Sequence, residues 1–358
     1  MPKNKGSIGV VGAGSWGTTL ANLLAQKGFK VDLWVFEKEL CDLIRETAEN
    51  SWYLPGFKLH ENLTAHNDLE SVVRGRKFLL MAVPSQLTRR VAAQMAPLLA
   101  PDARIVTATK GIENDTLLTM SGVWKELLPQ RPDVKLFCLS GPSFAHEVAR
   151  NVPTAVTIAG DEIEPTKEVQ QIFSTPIFRV YTSLDRIGVE LAGASKNVIA
   201  VAAGICDGLS FGYNTRAALI TRGLAEISRL GFRMGAHPLT FSGLAGIGDL
   251  LLTCTGDLSR NRTLGMELAR GKTLEEILAA TRTVAEGVAT SRSIHFLAKR
   301  MQVEMPICQQ IYRVLYEKKD PLAVTRELME RDLKHELEFD PGICDVTARP
   351  EETALLRG

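Results

Sequence analysis

Six short apolar runs open the chain: SIGVVG (7–12), KVDLWVF (30–36), KFLLMAV (77–83), RIVTAT (104–109), KLFCLSG (135–141) and TAVTIAG (154–160). Segments of helical length separate them. A strand that is apolar along its whole length, not on alternate residues, needs cover on both faces. Crossing helices supply that cover and make neighbouring strands run parallel. The pattern therefore predicts an α/β domain around a parallel sheet, with the weaker run FRVYTS (178–183) as an edge strand. After residue 184 the character changes. To about Leu333 the segments read as helices, with Gly231, Pro238, Gly271, Pro306 and Pro321 marking ends. The clearest is NTRAALITRGLAEISRLG (214–231), with Asn214 as cap and Gly231 as stop. The expected organisation is an α/β domain over 1–189, an all-α domain over 190–333, and a flexible tail over 334–358, where periodicity is lost.

The first run leads into Gly12-x-Gly14-x-x-Gly17 and then a helical pattern. In a strand–turn–helix this spacing has a mechanical reading. Gly12 allows the tight turn, Gly14 lets a pyrophosphate approach the backbone, and Gly17 permits close helix packing. The free N–H groups at the helix start favour the anion. Alone, the spacing fits an ordinary glycine turn equally well; at the head of an alternating strand–helix series it points to a Rossmann-like dinucleotide site. Glu37 ends the second strand, where a carboxylate can bind an adenosine ribose and repel a 2′-phosphate. NAD is thus favoured over NADP, with Lys38 as a counterweight.

One lysine stands out. Between Glu190 and Asp207, Lys196 is the sole charge in a run of Leu, Val, Ile, Ala and Gly. On a helix its face also carries Ala192, Gly193, Ala200 and Ala203, so another molecule could approach it closely. The competing reading is a lysine that lays its stem along apolar surface. Other candidate ligand contacts follow strand ends, in VPSQ (83–86), TKGI (109–112, with Lys110) and SGPSFAHEVA (140–149, with Ser143). GLAGIGDLLLTCTGDLSRNRTLG (243–265) embeds Asp249 in apolar residues. It then offers Ser259 as a helix cap, with Arg260 and Asn261 as donors suited to a phosphate. Each of these motifs, alone, has a plain structural reading.

Composition excludes several classes. Forty-two Lys plus Arg balance 41 Asp plus Glu, so no nucleic-acid footprint is present. The six cysteines (41, 138, 206, 254, 308, 344) show no metal spacing, and read as buried thiols in a reducing compartment. No metal site is expected. No signal peptide and no membrane span are expected, which makes a cytoplasmic protein the default.

GAGSWGT (12–18), TKG (109–111), GPSFA (141–145), GASKN (193–197), NTRAALITRGLAE (214–226), GLAGIGDLLLTC (243–254), SRN (259–261) and AEGV (285–288) together resemble, in order, the motifs of the bacterial NAD(P)-dependent sn-glycerol-3-phosphate dehydrogenases. The resemblance covers roughly residues 8 to 330. It implies interconversion of dihydroxyacetone phosphate and sn-glycerol 3-phosphate for phospholipid synthesis, by a homodimer. It implies Lys196 as general acid/base and Lys110 as a contact of substrate and cofactor. Gly141, Ser143, Asp249, Ser259, Arg260 and Asn261 would line the substrate site. Ser15, Trp16, Ala145, Arg260, Val284 and Glu286 match cofactor contacts. Where many members carry Arg or His after the second strand, this chain has Phe36, which agrees with the reading of Glu37. Two alternatives stay open on the residues alone: a reductase of another small keto acid, and a dinucleotide-sensing regulator without turnover.

Overall fold

The computed structural model describes residues 6–281, 284–333 and 335–336. Its sheet runs β1 (Ser7–Val11), β2 (Lys30–Trp34), β3 (Leu63–His66), β4 (Phe78–Met81), β5 (Arg104–Thr107), β6 (Lys135–Ser140), β7 (Thr154–Gly160) and β8 (Phe178–Ser183). The spatial order is β3-β2-β1-β4-β5-β6-β7-β8. The strand order reverses between β1 and β4, the kind of switch point at whose crevice open α/β sheets bind ligands. Helices α1 (Ser15–Gln26), α2 (Lys38–Thr47), α3 (Leu69–Val73), α4 (Thr88–Met95), α5 (Met120–Leu127), α6 (Ala145–Ala149) and α7 (Ile163–Phe173) connect the strands. Apolar clusters fill the sheet on both sides, as uninterrupted apolar strands require.

Two features depart from the sequence expectation. β3, LTAH, was not foreseen; half its residues are polar, and it pairs only with β2 at the sheet edge. The sheet is also not wholly parallel. β6 and β7 pair antiparallel, while β8 closes the edge parallel to β7. The link between β6 and β7 holds only the five-residue α6, too little to cover a parallel crossover, so the chain doubles back.

The helical layer comprises α8 (Arg186–Gly208), α9 (Gly212–Arg233), α10 (Asp249–Thr255), α11 (Arg260–Ala269), α12 (Leu274–Ala279), α13 (Glu286–Met301), α14 (Pro306–Tyr316) and α15 (Pro321–Met329). Pro306 and Pro321, read from the sequence as marking helix ends, each open a helix. α9, however, starts before Asn214 and passes Gly231. Phe211 precedes its first residue and Gly235, at φ +85°, follows its end. Gly231 serves packing instead, since a Cβ there would lie 2.1 Å from the Phe241 ring. α8 also corrects the expectation of no membrane-length stretch: it is long and apolar enough by length and composition. Here it is buried throughout, packed by α9, α10, α11 and α13. Five cysteines (41, 138, 206, 254, 308) are free and buried. Cys344 and most of the 334–358 tail lie outside the described residues.

The seam between α8 and α11 fixes the angle at which Lys196 meets the start of α11. A Cβ on Gly204 would lie 2.0 Å from the Arg262 carbonyl oxygen, and one on Gly265 2.1 Å from that of Val201. Backbone atoms cannot yield as side-chain tips do. Gly204→Ala should therefore cost roughly 2–3 kcal/mol of stability, read as a lower urea midpoint. A midpoint equal to the wild type's would show that the two helices part at no cost.

Candidate active site

Between the carboxyl ends of the central strands and the helical layer lies a cavity of about 590 Å³. At one end is the glycine loop. Gly12 takes φ +112°, and a Cβ there would lie 2.8 Å from the Ala82 carbonyl oxygen. Gly17 stands behind the wall, its Cβ position 2.0 Å from the Gly12 carbonyl oxygen. Gly14 does line the cavity, and a Cβ on it would meet no protein atom within 4 Å. No side chain caps α1, which begins at Ser15, so its first N–H groups remain for an anion. The Trp16 indole N–H, on a wall residue, has no hydrogen-bond partner among the described residues. These features fit a dinucleotide pyrophosphate.

Glu37, just after β2, accepts a hydrogen bond from the Tyr53 hydroxyl at 3.0 Å. The Tyr53 backbone N–H donates to Asn50 Oδ1 at 3.1 Å, and Asn50 Nδ2 donates to the Ala13 carbonyl at 2.8 Å. The glycine loop and Glu37 are thus braced by one segment that the sequence reading passed over. Phe36 is exposed on the wall, edge-on to Trp34.

At the other end, Asp249 holds two lysines. Its Oδ2 accepts from Lys110 Nζ at 2.6 Å, and its Oδ1 from Lys196 Nζ. Lys196 also donates to Thr253 Oγ1 at 2.8 Å, and Lys110 to the Gly141 carbonyl at 3.3 Å. Asp249 starts α10, where the helix dipole favours a carboxylate. Burial pushes Lys196 down to about 8; Asp249 opposes the shift and Lys110 adds to it. For Asp249 burial acts upward, but Lys110 and Lys196 outweigh it and hold the carboxyl below its ordinary value.

Along the α11 wall, Ser259 caps the helix by accepting from the Arg262 N–H at 3.3 Å. The Asn261 amide is fixed from two sides. It donates to Asn197 Oδ1 at 2.9 Å and accepts from the Gly287 N–H at 2.9 Å. Arg260 is exposed, but to the cavity it lines. Burial by the surrounding protein lowers its guanidinium, and Glu286 opposes the shift.

The fold thus gathers Gly12, Gly14, Ser15, Trp16, Phe36, Glu37, Lys110, Ser143, Ala145, Lys196, Ser259, Arg260, Asn261, Val284 and Glu286 on one cavity. Gly17, Gly141 and Asp249 stand behind its wall. For Asp249 the reason is electrostatic: at 1% exposure it spends its oxygens on the lysines. Thr253, Asn197 and Tyr53, also on the wall, were missed. Thr253 was within reach, lying four residues after Asp249 on one helix face. Asn197 and Tyr53 carry no local signal, because their partners are distant in sequence.

Comparison with known proteins places this geometry. Residues 7–165 match the sequence model of the N-terminus of NAD-dependent glycerol-3-phosphate dehydrogenase, and residues 185–326 that of its C-terminus. A glycerol-3-phosphate dehydrogenase [NAD(P)+] of Syntrophobacter fumaroxidans is 68% identical over 337 residues, covering 94% of this chain and 99% of the relative. One from Geobacter sp. strain M21 is 57% identical over 329 residues, covering 92% and 98%. The crystal structure of the Coxiella burnetii glycerol-3-phosphate dehydrogenase superposes with a TM-score of 0.87 at 42% identity, covering 91% of this chain and 99% of that one. Two domain matches in order, with near-complete coverage of close relatives, leave neither alternative standing, and the chain belongs to the NAD-dependent glycerol-3-phosphate dehydrogenases.

Proposed function

We propose that this protein interconverts dihydroxyacetone phosphate and sn-glycerol 3-phosphate, feeding phospholipid synthesis, with NAD(H) preferred over NADP(H). A homodimeric state follows from the family resemblance, and a cytoplasmic location from the sequence reading of no signal peptide and no span. The observation that carries the reading is the Lys110–Asp249–Lys196 cluster sharing a cavity with Arg260.

The glycine loop and the open start of α1 would hold the pyrophosphate, and Glu37 the ribose. When bound, the reduced dinucleotide supplies hydride to C2 of the ketone. The ammonium of Lys196 stabilises the charge that develops on the ketone oxygen and donates the proton. In the reverse direction neutral Lys196 takes that proton, and its lowered value makes the neutral form accessible. Asp249 fixes the positions of both lysines and offsets one of their two charges. The Arg260 fork, with Asn261 beside it, would hold the substrate's phosphate.

The acid form of Lys196 serves reduction, and it is lost as pH rises through its value of about 8. Ketone reduction should therefore decline above that pH, while glycerol phosphate oxidation rises through the same range. Lys196→Met should abolish turnover in both directions yet keep the fold and NADH binding, because Lys110 still neutralises Asp249. Substantial kcat in the mutant would reinstate the lysine as a packing residue.

Arg260→Ala should lower kcat/KM for dihydroxyacetone phosphate by about 10² or more, since charge-assisted hydrogen bonds are worth roughly 1.5–3 kcal/mol each. Phosphate-free dihydroxyacetone, a poor substrate throughout, should change little. Equal losses on the two ketones would make Arg260 a cofactor or structural residue.

With Glu37 and Phe36 at the adenosine end, NADH should match or exceed NADPH in kcat/KM. A tenfold preference for NADPH, about 1.4 kcal/mol, would mean that a cation such as Lys38 outweighs the Glu37 carboxylate.

A further inference from the structure

Ser85 opens the short 3₁₀ turn after β4 and is 1% exposed. Its backbone N–H donates to Glu286 Oε1 at 2.9 Å, and its hydroxyl to Oε2 at 2.5 Å. One residue thus occupies both oxygens of a carboxylate 201 positions away in sequence. Space for the contact comes from Gly111 on the next loop, where a Cβ would lie 2.4 Å from the Ser85 Cβ. Gln86 ties the two loops further. Its Nε2 donates to the Ile112 carbonyl at 2.8 Å and its Oε1 accepts from the Asn114 N–H at 3.0 Å.

Glu286 is the first residue of α13, so the contact joins the loops after β4 and β5 to the helical layer. Glu286 lines the cavity and Ser85 does not. Burial raises the Glu286 carboxyl above its ordinary value, and the two Ser85 bonds and then Arg260, from α11, oppose that shift. An ionised carboxylate gains from the helix start, from Arg260 and from two donors of fixed direction. Without Ser85 the side chain would keep its charge partner but lose its aim.

We propose that Ser85 is a positioning residue for the cofactor: it fixes the Glu286 carboxylate across the junction of sheet and helices and thereby sets how tightly the dinucleotide is held, without touching it. This rests on the reading of the cavity as the dinucleotide site. A hydrogen bond to a charged group is worth enough to change affinity about tenfold. Ser85→Ala should therefore weaken NADH binding by that factor, read by fluorescence titration and as KM for NADH. At saturating NADH, kcat and the KM for dihydroxyacetone phosphate should stay within about threefold of wild type.

A cycle with Glu286→Gln separates positioning from general damage. If Ser85 acts through Glu286, the double mutant binds NADH hardly worse than Glu286→Gln alone. Effects that multiply would overturn the proposal while leaving Glu286 a cofactor contact. No effect of Glu286→Gln on NADH binding would sink both the proposal and the cofactor reading of that wall. Should Ser85→Ala fold poorly by circular dichroism, Ser85→Gly, which also removes the hydroxyl and keeps the backbone donor, takes its place in the cycle.

Discussion

One buried carboxylate orders the reactive end of this molecule. Asp249 is nearly sealed from solvent and receives an ammonium group on each oxygen, Lys110 from the sheet and Lys196 from α8. Burying three charges together is expensive, and a pair so placed is weak evidence of stability. A third charge makes the arrangement worse, because two cations share one anion. Such a cluster persists where function selects for it and the surrounding fold over-determines it. Here the surroundings are a fully buried α8, the glycine seam with α11, and the start of α10 under the carboxylate. The excess positive charge is what an anionic substrate would meet.

The same cluster divides what sequence can and cannot reveal. Lys196 was legible because a charge in an apolar helix contradicts its surroundings, and Arg260 because SRN reads as a capped helix start. The strands were legible for the same physical reason, since two-sided burial writes itself as continuous hydrophobicity. β3 was not, for an edge strand with one neighbour needs no such run. The reversal at β7 was hidden too, because direction depends on how far a link can cross and not on the strand's own residues. Asp249 was read as a wall residue and proved to stand behind the wall; sequence gave its chemistry without its depth. Asn50, Tyr53 and Asn197 show the plainest limit. Their amides and hydroxyl matter only through partners that the chain brings together from afar.

Charge on this protein is arranged locally. Across the whole chain 42 basic residues face 41 acidic ones, so the surface as a whole has no strong field to draw anions in. The cavity differs from that average. Lys110, Lys196 and Arg260 line it, and so does Ser15 at the open start of α1. Opposing them are Asp249, paired with both lysines, and Glu286, held in direction by Ser85. Glu37, on the cavity wall, is held by Tyr53. Pyrophosphate and substrate phosphate would thus approach separate positive poles with a carboxylate beside each, an arrangement that sets orientation as well as attraction.

That division follows the two layers. The sheet provides the glycine loop and Glu37, whereas Lys196, Arg260 and Asn261 come from the helices. Neither layer alone holds the parts that a hydride transfer must bring within reach of each other, so their relative placement is itself a catalytic variable. Two contacts described above bridge the layers at the cavity: Lys110 to Asp249 and Ser85 to Glu286. Both are charge-assisted, and both join a loop after a central strand to the first residue of a helix. A direction-dependent bond at a helix start resists sliding better than apolar packing, which is non-directional. Apolar burial brings the layers together; directional bonds such as these limit how they slide.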